Sequence, residues 1–519
     1  MVQWSALSTS LQATVILDQP GNVAFTSLDQ ISGRAMVRCA KAVDVSNVVV
    51  KLEGESRTRL MSPPGADGQR PKPQVEYHKI LYKVQMVFPP PDVASRSTAS
   101  AKYTIPQGQH EYPFSFKLPF NNNCSTNNKS QPPMLGLDPV RPAEKHVKKT
   151  LPPTLSGFPG EAEIRYYVKV TVNRQSFFKE NPRAYTPFNF FPIEPPRPSP
   201  TGSEVYARQR HAFSAFPHNG DVKDKMKGLF SKKSSASSSP IPPTTAPSIS
   251  VDARLQEPAI LTCNSDIPLR LIVKKINEHD ELLYLDSLQI SLIGHTKVRA
   301  HEVSRTETQS WIITSRSNMN IPIDPINTDT VLPDHMWRGL SLPNTVAPTF
   351  ETCNIARSYQ LDIRIGFSYS GGGLSKVRMQ QNARIPQKVT LPLRLDTLVY
   401  SGIAPPAEVI SRMADARSNV RRTNTNAMAE KLQAEGRRDS DFGRNQIPPT
   451  PIDAGEGPSW PARPGVPLEG IPEYMDAPPS YEDAIASDIP PVAAASRPAY
   501  NPPPHQEDPL LGDEKKGLH

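Results

Sequence analysis

Four cysteines and eleven histidines are the side chains of this 519-residue sequence best suited to metal or redox chemistry. Cys39, Cys124, Cys263 and Cys353 lie far apart. Neither they nor the histidines fall at the short paired intervals by which zinc ribbons, zinc fingers or redox CxxC loops bring ligands together. Spacing alone therefore predicts reduced, buried or inert thiols and no metal. Catalysis has no better support. The chain lacks a Gly-x-Ser-x-Gly elbow, a phosphate-cradling glycine loop and a His-Glu-x-x-His pair. Gly371-Gly372-Gly373 follows a strand pattern without the Lys and Ser/Thr of a phosphate cradle, and reads as a hairpin tip. The expectation is a protein with no catalytic residues and no cofactor.

The residues that do carry a chemical message are Pro478, Pro479, Ser480 and Tyr481. Two prolines preset a polyproline II segment, so little ordering entropy is lost when it docks in an aromatic groove. Tyr481 adds a flat ring with a hydroxyl for a second pocket. This is a ligand for a WW domain, a module carried by HECT-type ubiquitin ligases. Ser480 can cap the short helix read over Glu482 to Ile485, with Glu482 and Asp483 in its first turn, which would present Tyr481 at a defined angle. Candidate phosphorylation sites surround this message. Ser440 follows Arg437-Arg438-Asp439, and Ser199, Ser239 and Thr450 each precede proline. Phosphate at these positions would add charge able to switch docking.

Composition narrows the class. Proline numbers 58 and clusters, and no run approaches the ~20 apolar residues of a membrane span. The amino terminus lacks the basic start and apolar core of a signal peptide. A cytoplasmic protein is expected. Residues 401–519 hold 12 Lys/Arg against 18 Asp/Glu, so a basic body (47 against 33) precedes an acidic tail. Such a body suits anionic partners, namely a phospholipid surface or acidic and phosphorylated tails of membrane proteins. No zinc module, helix-turn-helix or RNA-binding aromatic signature points to nucleic acid.

Period-two alternation organises the first 195 residues. Ile31 to Cys39, Val48 to Leu52, Tyr112 to Leu118 and Ile164 to Val172 each present one apolar face, the mark of antiparallel sheets packed on one side. Pro-rich loops are expected at Ser62–Tyr77 and Asn121–Pro153. Residues 196–248 read as a disordered Pro/Ser/Lys-rich linker or insertion. It contains one apolar helical face (Val222, Met226, Leu229, Phe230) among lysines. Strand patterns return over 249–401, in Leu269 to Val273, Leu288 to Leu292, Leu361 to Tyr369 and Val389 to Leu395. Residues 402–519 read as a largely disordered tail. The predicted fold class is all-β, two tandem immunoglobulin-like sandwiches with that tail.

Three segments resemble a known family. Gly108-Gln109-His110-Glu111-Tyr112-Pro113-Phe114-Ser115-Phe116-Lys117-Leu118-Pro119 is similar to a strand of the arrestin N-terminal domain. Leu151-Pro152-Pro153-Thr154 followed by Ile164-Arg165-Tyr166-Tyr167-Val168 is similar to a second stretch of it, and Pro478 to Ala484 is similar to the tail motif of fungal arrestin-related trafficking adaptors. The resemblance implies arrestin-like N- and C-terminal domains. It also implies an adaptor that links integral membrane proteins, transporters or receptors, through their cytoplasmic tails to a WW-domain HECT-type ubiquitin ligase, promoting their ubiquitylation and endocytosis. Peripheral recruitment to plasma membrane and endosomes would follow. The alternative within this fold is a signalling scaffold of the ambient-pH type without ligase-driven turnover. The chain departs from the family in carrying one complete Pro-Pro-x-Tyr motif. Ile471-Pro472-Glu473-Tyr474 and Arg497-Pro498-Ala499-Tyr500 each lack the first proline, which removes the second competent site that avidity needs.

Overall fold

Alternation becomes one-sided burial. Ile31, Ala35, Val37 and Cys39 are buried while Arg34 and Arg38 between them face solvent. The computed structural model describes residues 11–19, 23–64, 70–96, 102–124, 146–158, 160–175, 180–214, 247–277, 283–323, 329–369, 386–411, 489–491 and 497–502. Contacts divide the chain into two units, one of 1–405 with 490–519 and one of 406–489. The second is described at a helical turn over Ala407–Ser411 and at Ile489.

The first unit is all-β and holds two sandwiches. The first sandwich contains β1 (Leu11–Leu17), β2 (Gln30–Cys39), β3 (Val43–Val45), β4 (Asn47–Met61), β5 (Pro73–Phe88), β6 (Tyr103–Ile105), β7 (Gly108–Lys117), β8 (Leu155–Phe158), β9 (Ala162–Asn173) and β10 (Arg183–Phe188). One sheet runs β1-β2-β7 and the other β10-β9-β4-β5, with β8 on β9 and a small β3-β6 pair. Phe114, Phe116, Val50, Leu52, Val168 and Val170 fill the space between them. Pro113 is tolerated inside β7 because that strand is an edge, with no further neighbour to receive an N–H. Gly54 sits at a register shift of β4, and a Cβ there would lie 2.6 Å from the ring of Tyr166.

The second sandwich contains β11 (Glu204–Ala212), β12 (Ser248–Gln256), β13 (Ile260–Thr262), β14 (Arg270–Lys275), β15 (Leu283–Ala300), β16 (Val303–Arg316), β17 (Ile321–Pro322), β18 (Thr330–Val331), β19 (Phe350–Glu351), β20 (Ile355–Tyr369) and β21 (Gln387–Tyr400). Its sheets run β11-β12-β14-β18 and β13-β21-β20-β15-β16.

Two expectations change here. The stretch 196–248, read as disordered, contains β11, a nine-residue strand in continuous register with β12. Its side chains are mostly exposed, so no apolar face announces it. Pairing and ion pairs hold it instead, with Arg208 on Asp252 at 2.6 Å and Arg254 on Glu204 at 3.2 Å. The loop expected at Ser62–Tyr77 ends early, because β5 begins at Pro73 and pairs residue by residue with β4 up to Met61. The first buried positions of β5 are Glu76 and His78, polar types that conceal the start of the strand from a hydrophobicity reading.

Acid should unfold this body through specific carboxylates. Glu55 is buried, which alone would raise its pKa. The charge of Arg165 and hydrogen bonds from Tyr167, Tyr77 and Arg165 take it below its ordinary 4.5. Asp252 is held below 3.8 by its hydrogen bond from Arg208, against burial, with help from Arg254. A carboxyl with a depressed folded pKa contributes stability above its ordinary pKa, and that contribution is lost as pH falls through the folded value. The melting temperature should hold from neutral pH down to about 4.5 and fall below it, with Glu55→Gln flattening the acid limb. An acid limb unchanged in Glu55→Gln would contradict this assignment.

Candidate functional site at the waist between the sandwiches

Pro478, Pro479, Ser480, Tyr481, Glu482, Asp483, Ser239, Ser440 and Thr450 lie outside the described residues, as do the 222–230 face and Gly371–Gly373. Ser199 is described, and is exposed in the irregular run before β11.

The structure instead concentrates polar groups where the sandwiches meet. Asn354, just before β20, reaches into the first sandwich. Ser56 Oγ donates to its Oδ1 at 2.6 Å, and its Nδ2 donates to Thr58 Oγ1 at 3.2 Å and to the Ser56 carbonyl at 3.3 Å. Thr58 Oγ1 in turn donates to the Arg299 carbonyl at 2.6 Å. Arg299 Nη2 donates to Glu76 Oε1 at 2.7 Å, and the backbone N–H of His301 to Glu76 Oε2 at 2.6 Å. Toward the rim, Arg305 pairs with Glu161 and Lys149 with Glu351.

A returning segment docks on the same body. Arg497 Nη1 and Nη2 each donate to one carboxylate oxygen of Asp29, both at 2.7 Å. Asp29 is buried, which raises its pKa against the opposing effects of Arg497 and the Thr26 N–H. Tyr500 stacks on Phe191 with centroids 4.4 Å apart and donates its hydroxyl to the Thr154 carbonyl at 2.5 Å. Asn264 Nδ2 holds the Ala499 carbonyl at 3.0 Å. The sequence Arg497-Pro498-Ala499-Tyr500, read as an incomplete Pro-Pro-x-Tyr, is thus an internal ligand. Its tyrosine is 4% exposed and is not presented to a partner.

The third feature is a cluster of His78, Cys124, His146 and Cys353, whose ligating atoms all lie within 4.8 Å of one another. His78 stands on β5. Cys124 and His146 belong to the connection after β7, and Cys353 to the turn between β19 and β20. Sequence spacing separates these residues; the first sandwich brings His78, Cys124 and His146 together, and the meeting of the sandwiches adds Cys353. The one local signal is Glu76 and His78, two apart on a strand and therefore on one face. Hydrogen bonding from Cys124 holds the Cys353 thiol below its ordinary pKa against burial, and the same contact, with burial, pushes Cys124 up. For His78, burial alone would lower the imidazole, but Cys353 and Glu76 raise it.

Among the described residues no helix is long and apolar enough to cross a membrane. The paired sheets agree with an arrestin-like fold, and residues 13–188 match the family described as arrestin (or S-antigen), N-terminal domain. That region runs from within β1 to the end of β10. The chain is also similar to a protein named arrestin-related trafficking adapter 10, from Lachancea thermotolerans, with 30% identity over 129 residues. The alignment covers 23% of this chain and 29% of that relative. The first sandwich is thus similar to an arrestin N-terminal domain, and the chain aligns with less than a third of that relative's length.

Proposed function

We propose that this chain is a non-enzymatic trafficking adaptor. Its two-sandwich body engages the cytoplasmic tail of an integral membrane protein, assisted by an anionic membrane surface. Pro478, Pro479, Ser480 and Tyr481 engage a WW domain of a HECT-type ubiquitin ligase. Holding both raises the effective concentration of ligase at the cargo, and cargo ubiquitylation and endocytosis follow. The adaptor works from the cytoplasm and is recruited peripherally to plasma membrane and endosomes.

The observation that carries the reading is the match of the first sandwich to the arrestin N-terminal domain in a chain that also bears one complete Pro-Pro-x-Tyr. The relative's name, a trafficking adapter, supports the same class. Burial of Tyr500 supports assigning the ligase contact to Tyr481 alone. A single site gives no avidity, so one substitution is decisive. Tyr481→Ala should abolish pull-down of an isolated WW domain and slow cargo uptake in cells, whereas Tyr500→Phe should leave pull-down intact. Retained WW-domain binding by Tyr481→Ala rejects the ligase link. Unchanged cargo levels with persistent signalling in that variant would favour the scaffold reading.

A further inference from the structure

We propose that His78, Cys124, His146 and Cys353 form a structural zinc site that fastens the second sandwich to the first. Three ligands come from the first sandwich and its connections, and Cys353 comes from the second. The inference does not depend on the adaptor reading.

The four ligand atoms are close enough together to close a four-coordinate shell. His78 Nδ1 lies 3.3 Å from Cys124 Sγ, Cys124 Sγ 3.2 Å from His146 Nδ1, and the two sulfurs 3.5 Å apart. Zn–S bonds of about 2.3 Å and Zn–N bonds of about 2.0–2.1 Å place tetrahedral ligand atoms about 3.3–3.8 Å from one another. Three of the six ligand-to-ligand distances are 3.2–3.5 Å and all lie within 4.8 Å, so small side-chain adjustments bring the four atoms onto one ion. A disulfide fits less well, because it would bring the sulfurs to about 2.05 Å.

The surroundings match the chemistry. His78 donates through Nε2 to Glu76 Oε1 at 2.7 Å, so in the neutral ring the lone pair is on Nδ1, which lies 3.3 Å from Cys124 Sγ. A carboxylate behind a ligating imidazole fixes its tautomer and raises its basicity. Glu76 is itself held by Arg299 and by the His301 N–H. The backbone N–H of Val147 donates to Cys353 Sγ at 3.1 Å, a contact that favours a thiolate. Two thiolates, two neutral imidazoles and Zn2+ sum to zero charge, which suits a site where His78, Cys124 and Cys353 are buried. Nitrogen and sulfur donors in this ratio select zinc over magnesium or calcium. Four protein ligands leave no open position, so the ion is structural. Its binding free energy would then stabilise the joint between the sandwiches.

The test uses the full chain purified under reducing conditions, with zinc measured by elemental mass spectrometry after gel filtration. About one zinc per chain is expected, lost to a strong chelator and regained on adding Zn2+. Co2+ in its place should give the visible bands of a tetrahedral thiolate site. His146→Ala, at the half-exposed rim where folding is least at risk, and Cys353→Ser should lose the ion. Glu76→Gln should weaken Zn2+ binding about 10–100-fold. A folded chain that neither retains zinc nor binds added Zn2+ overturns the proposal. So does a Cys124–Cys353 disulfide in protein isolated without reductant, or zinc binding by His146→Ala and Cys353→Ser equal to that of the parent.

Discussion

Replacing Arg497 by Ala releases the Arg497–Asn501 segment from the body. Asp29 is 3% exposed and receives both guanidinium bonds at 2.7 Å. Without them, its hydrogen bond from the Thr26 N–H at 2.8 Å is left to hold a buried charge. Removing one partner of a buried ion pair costs about 3–5 kcal/mol. The system escapes by lifting the segment and rehydrating Asp29, or by protonating a carboxyl that burial already pushes up. Either route loosens the stack of Tyr500 on Phe191. Hydrogen exchange is the direct measurement. Protection of the Asn501 backbone amide, which donates to the Asn344 carbonyl at 3.1 Å, should fall by a hundredfold or more, on the order that such an energy allows. Arg497→Lys keeps the charge but not the two-pronged geometry, and should fall between. Undiminished protection in Arg497→Ala would mean that the ring and backbone contacts alone hold the segment.

Asn354→Ala should uncouple the two sandwiches. The side chain is 2% exposed and bridges Ser56 and Thr58 of β4 to the start of β20. Truncation leaves the Ser56 hydroxyl without the acceptor it uses, and opens a polar void at the waist. Each buried group left unsatisfied costs about 1–3 kcal/mol. For a sandwich of this size, every kcal/mol moves the melting temperature by about 2–4 °C. Calorimetry should resolve two transitions where the parent unfolds in one, with the second sandwich melting first. A single transition at the parental temperature would show that the other bonds across the waist, among them Arg299–Glu76, suffice without Asn354.

Strands with one buried apolar face were legible in the sequence. β2, β4, β7, β9, β20 and β21 all begin or end close to their alternating runs. The strands that were not legible have a common physical character. β11 and β16 present mostly exposed polar side chains and owe their existence to the neighbour they pair with. The first turns of β5 bury Glu76 and His78, residues whose burial is favourable only because Arg299 and the cysteines stand opposite.

The order of residues was enough to dictate an all-β body, and it carries a single complete Pro-Pro-x-Tyr. Alternation and proline pairs act over a few residues, so they need no distant partner to be read. The waist arises otherwise. Cys124 and Cys353 are 229 positions apart, and Arg497 and Asp29 are 468 apart. No local period encodes such encounters. They exist because two sandwiches, each closing its own core, bring their ends together and leave polar groups that must satisfy one another in the space between.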